Sequence, residues 1–172
     1  MDMNSLPAGL TELKETVATA FGDILKENGF QIVYQEARSS EHCLLEAASP
    51  VCGIRFVSDM GFLEVLVGGP HAGRPNGQDK ATKWFAIWPV MDFVEGKPKP
   101  SLAALRNLSK DFRTKSPQET ADLIARRLRP IARDLFGLFA RETAPAKRQA
   151  LETYYSDNSY LRGELGAGSR RG

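Results

Sequence analysis

The chain holds 172 residues, 42% hydrophobic, 26% charged and 9% aromatic, a size at which one domain buries about 70% of its unfolded surface without a disulfide or metal staple. This excludes a wholly disordered chain, and no stretch reaches the roughly 20 unbroken apolar residues of a membrane span. The formal charge of +2 is split, with 7 Lys+Arg against 13 Asp+Glu in residues 1–96 (a balance of −6) and 16 against 8 in residues 97–172 (a balance of +8), so the halves either steer partners of opposite sign or attract each other within one fold.

In chain order, Leu10, Leu13, Val17, Phe21 and Ile24 recur at helical spacing, which predicts an amphipathic helix over 11–28, closed by Gly29. From Phe30 to Gln35 the pattern becomes that of a strand with Phe30, Ile32 and Tyr34 on one face. The runs 43–48, 51–58 and 62–68, separated by Ser49-Pro50 and Asp59-Met60-Gly61, read as an antiparallel meander. A loop at Asp59-Met60 sets Ile54 opposite Val65, Phe56 opposite Leu63 and Arg55 opposite Glu64, and a glycine bulge at Gly61 shifts this by one. The strand 62–67 is apolar on both faces except at Glu64, as in a central strand covered on two sides, or on one side plus a partner.

Residues 68–83 hold four Gly and two Pro and form a long surface loop. A fifth strand is expected at 84–87, then a helix over 89–95 with Pro89 at its first position, and a stiff connector at 97–100. Ser101 caps a helix carrying Leu102, Leu105 and Leu108. Ser116-Pro117-Gln118-Glu119 is a capping box that opens a helix to about Arg141, with Pro130 kinking it on its solvent side. A last helix is expected over 146–155 and a loose basic tail over 163–172. The fold class is α+β: an N-terminal helix, a four- to five-stranded antiparallel meander and C-terminal helices packed on the sheet. Three regions follow, a core at 1–96, a basic helical extension at 97–162 and the tail.

No catalytic constellation declares itself. His42 and Cys43 are strand neighbours and point to opposite faces, so they form no dyad. Cys43 and Cys52 lie at opposite ends of a hairpin, too far apart for a disulfide or shared metal. With two histidines and no ligand spacing there is no zinc motif, and the glycines of 68–83 match neither phosphate-binding loop, so neither metal nor other cofactor is expected. The opening ten residues lack a secretion signal and two cysteines make no disulfide framework, which gives a cytoplasmic expectation.

What remains points to binding. Glu36, Glu46, Glu64 and Asp59 are the solvated side of strands, an acid/base pair on one sheet face, or an acidic surface for a basic partner. Trp84, Phe85 and Trp88 make a dense aromatic cluster, core or interface anchor. Arg126, Arg129 and Arg133 share an exposed helix side with an arginine-rich tail beyond, which suits phosphates; Asp122, four residues before Arg126, also suits an intrahelical pair.

Phe21 and Leu25 before Gly29-Phe30, then Ile54-Arg55-Phe56-Val57, Asp59, Gly61, Val65 and Gly68, then Trp84, Val90 and Phe93 resemble the pattern of a family of small bacterial proteins with an IRFVxDxG hairpin. The resemblance covers under half of the chain, and Met60, the long 68–83 loop and the basic extension depart from it. It implies an immunity-type protein that binds another protein. Together these readings predict a non-enzymatic protein-binding module using Trp84, Trp88, Glu64, Asp59, His71 and Arg74. The alternatives are a nucleic-acid-associated protein using Arg126, Arg129 and Arg133, and a small hydrolase with a dispersed Glu/His site.

Overall fold

The computed structural model describes residues 7–70 and 84–156. Leu10, Leu13, Val17, Phe21 and Ile24 form the buried stripe of α1 (Ala8–Glu27), one apolar face repeating with the helical period. Gly29, at φ +72, takes the left-handed conformation that turns the chain out of the helix. The strands β1 (Gln31–Ala37), β2 (His42–Ala48), β3 (Gly53–Asp59), β4 (Phe62–Gly68) and β5 (Phe85–Ala86) pair antiparallel in the order β1-β2-β3-β4-β5. Helices α2 (Ile87–Val94), α3 (Leu102–Arg113), α4 (Pro117–Leu128), α5 (Ala132–Gly137) and α6 (Pro145–Ser156) follow. The fold is α+β with a five-stranded meander.

One sheet face carries the core. Leu45, Ala47, Ile54, Phe56, Val65 and Val67 are buried there against α1 and α4. The rings of Phe21 and Phe56 meet at 5.0 Å between centroids, and Phe30 meets Phe136 at 4.8 Å. Both cysteines are buried and free. Two ion-paired arginines join the oppositely charged halves: Arg129 reaches both carboxylate oxygens of Asp23, at 2.9 and 3.2 Å, and Arg127 holds Asp92 and Glu95. At the far edge the Ala86 amide donates to the Tyr155 hydroxyl at 2.9 Å, so α6 covers β5. Among the described residues no helix is long and apolar enough to cross a membrane.

Several local expectations are corrected. The β3–β4 turn is Met60-Gly61, with φ of +47 and +83, the left-handed pair that a two-residue hairpin needs for its twist. Ile54 therefore faces Val67, Phe56 faces Val65 and Arg55 faces Leu66. The partners move by two residues, so apolar still meets apolar, but Arg55 no longer faces Glu64. In β1 the register shifts between Ile32 and Tyr34. This bulge sends Tyr34 to the face opposite Ile32, and at the sheet edge Ile32 is left 49% exposed and Val33 60% exposed.

The capping box forms as expected, with Ser116 Oγ accepting the Glu119 amide at 3.1 Å and Glu119 accepting the Ser116 amide at 3.0 Å. The helix it opens does not run to Arg141. It ends at Leu128 and passes through a 3-10 turn, Arg129–Ile131, into α5, because Pro130 has no amide to continue the ladder. The third strand starts at Gly53 rather than Val51, since Ser49 Oγ accepts the amides of Val51 and Cys52 and holds the turn. The fifth strand is only two residues long, and α2 begins at Ile87, so Pro89 is its third residue.

Candidate functional site

The other sheet face is composed of three rows set by strand register. The first runs Tyr34, Glu46, Arg55, Leu66; the second Glu36, Leu44, Val57, Glu64; the third His42, Asp59, Phe62. Side chains opposite one another share a face, so the four carboxylates singled out in the sequence, Glu36, Glu46, Asp59 and Glu64, are gathered on one surface. Apart from Glu46, these side chains are half-buried or exposed.

Their roles divide by partner. Glu46, 6% exposed, accepts from Arg55 Nε at 2.6 Å and contacts a second guanidinium nitrogen. The Arg55 guanidinium lies 4.3 Å from the Trp84 ring centroid, a stacked cation. At Gly53 a Cβ would come within 2.9 Å of the Gly69 carbonyl oxygen and 3.2 Å of the Trp84 indole, which explains a glycine in this central strand. The Trp84 indole N–H is buried and has no acceptor among the described residues. Glu36 accepts from Arg38 and from the Tyr34 hydroxyl. Asp59 sits 2.6 Å from His42 Nδ1, both side chains about half exposed.

Burial pushes the Glu64 carboxyl above the usual carboxylate range; the Asp59 charge adds to this and Arg55 opposes it. A raised carboxyl pKa stabilises the fold fully below the unfolded-state value, and that contribution is lost as pH rises through the folded-state value. Glu64→Gln is therefore expected to melt with the wild type below about pH 4 and at a higher temperature at pH 7. Thermal melts across this range check it; identical wild-type and variant curves at every pH would show that the Glu64 charge is fully solvated.

Sequence reasoning missed the Arg55–Glu46–Trp84 unit, although one arginine and one glutamate stand inside the apolar runs Ile54–Val57 and Cys43–Ala48. The aromatic cluster separates into three environments: Trp84 lies over Arg55, Phe85 packs on Phe139 and Tyr155, and Trp88 packs on Phe112 with Arg127 nearby. Trp84 and Trp88 thus do not form one anchor. His71, Arg74, most of the 68–83 loop and the 163–172 tail lie outside the described residues.

The arginine stripe is also altered. Arg129 is bound to Asp23, and Asp122 accepts from Gln118 at 2.8 Å in place of the expected Arg126 pair. Arg126 and Arg133 remain exposed without an ion pair among the described residues. No hydroxyl or thiol among the described residues hydrogen-bonds the His42 imidazole. Cys43 lies on the core face, its thiol pushed up by burial. Among the described residues no three His, Cys, Asp or Glu side chains cluster to hold a metal. No protein-family model matches this chain, and no curated protein or solved structure matches it either.

Proposed function

We propose that this chain is a non-enzymatic, cytoplasmic protein-binding module, and that it acts as an immunity-type inhibitor of a bacterial toxin or effector through the acidic sheet face. The row Glu36, Leu44, Val57, Glu64 carries the reading. It places two aliphatic side chains between two carboxylates across four strands, a strip of about 14 Å at the usual strand spacing. Exposed Phe62 and Met60 extend it apolarly at the hairpin end. A surface with an apolar centre and an acidic rim fits a partner with basic residues around an apolar contact.

The test is affinity capture from the native host with the wild type and a Val57→Ser/Glu64→Lys variant as baits. A protein held by the wild type, released by salt and lost by the variant is the expected result. An identical captured set for both baits, or none for the wild type, overturns the assignment. A second reading, nucleic-acid association, is favoured by the exposed Arg126 and Arg133, which form no ion pair among the described residues; counterion release would make such binding fall steeply with salt. Negligible binding of DNA and RNA at low salt removes it.

A further inference from the structure

The two sheet edges are finished differently. At β5 the edge is two residues long and its Ala86 amide is taken by Tyr155, whereas β1 is seven residues long with no strand beyond it among the described residues. The Arg38 amide donates to His42 O, so by antiparallel alternation Ala37 and Gln35 turn their amides away from β2. Exposed Ile32 and Val33 lie on this same edge. An edge left open in this way is a template for another strand.

Beside it, on the core side of the sheet, a groove of about 520 Å³ runs between α1 and β1, with Val17, Leu25, Ile32 and Ala47 in its walls. At Gly22 a side chain would meet nothing within 4 Å, so the α1 wall is open at that point. Lys14 and Lys26 also line the groove, and neither forms an ion pair among the described residues. Twelve residues of helix separate them, about 18 Å. That distance equals about five to six residues of strand, and because alternate strand residues share a face, the spacing that places two side chains on the groove side is six.

We infer that β1 takes an added strand of the pattern Glu-x-Φ-x-Φ-x-Glu, where Φ is aliphatic: main-chain hydrogen bonds join the free edge, the two aliphatic side chains fill the groove, and the two carboxylates reach Lys14 and Lys26. A second copy of this chain is a poor occupant. Two-fold pairing of β1 with itself would gather four lysines along one seam, while Glu36, the one acid on β1, shares a face with Leu44 and not with the groove. The surface is separate from the acidic strip on the other sheet face, and its test is read independently.

The probes are the capped, labelled peptides Glu-Thr-Val-Thr-Val-Thr-Glu and Lys-Thr-Val-Thr-Val-Thr-Lys, titrated into the full chain by fluorescence anisotropy. The wild type is expected to bind the Glu peptide about tenfold more tightly than the Lys peptide, and the Lys14→Glu/Lys26→Glu variant to reverse that order. Bound Glu peptide should slow amide exchange at Gln35 and Ala37. Equal affinities, no binding of either peptide up to its solubility limit, or a wild-type dimer whose Gln35 and Ala37 amides are already protected would each overturn the inference.

Discussion

Arg55→Met is expected to destabilise the protein by about 3–5 kcal/mol, because it leaves the Glu46 carboxylate in the sheet without its guanidinium. Glu46 is 6% exposed and takes both contacts from Arg55, so water cannot readily replace the lost partner. The same change removes the cation stacked on Trp84. The cost belongs to the stranded charge and not to the strength of the pair. Glu46→Leu/Arg55→Met, which removes both charges and fills the space with aliphatic groups, is therefore expected to recover most of the loss. Urea unfolding of the three proteins measures this. A double variant no more stable than the single would show that Arg55 acts through Trp84 instead.

Phe56→Ala is expected to cost about 3–5 kcal/mol as well, for a different reason. Phe56 is fully buried on the core face, its ring 5.0 Å from that of Phe21. Truncation opens a cavity at the seam between α1 and the middle strand, where neither neighbour can collapse without moving its own backbone. Phe21→Ala empties the other side of the same contact, so the double variant should lose less than the sum of the singles. Chemical denaturation of the four proteins gives the coupling; strict additivity would mean the rings do not share one packed site.

The sequence shows the fold where one local rule acts alone. The period of Leu10, Leu13, Val17 and Phe21, the capping box at Ser116 and Glu119 and the turn glycine Gly29 each state their structure without long-range help. Rules in competition misled it. At Asp59-Met60-Gly61 the preference for glycine at the second turn position outweighed the attractive Arg55–Glu64 pairing, since Met60 tolerates φ +47. At Pro130 the missing amide ended the helix although the apolar residues on either side of it, Leu128, Leu135 and Leu138, are all buried. The candidate site was legible as a set of acids on alternating positions. Which acid is buried was not, because the partner of Glu46 depends on β2–β3 register and its cover depends on Trp84, far along the chain.

The bond from Ala86 to Tyr155 spans 69 residues, and this bears on how the chain matures during synthesis. Hairpins β1 to β4 can zip as they emerge, each from neighbours in sequence. The last strand must wait, its amide uncovered, until α6 has left the ribosome. In a nascent chain halted just after α2, neither edge of the sheet has a further strand or helix across it among the described residues, and arrival of Tyr155 closes the β5 edge.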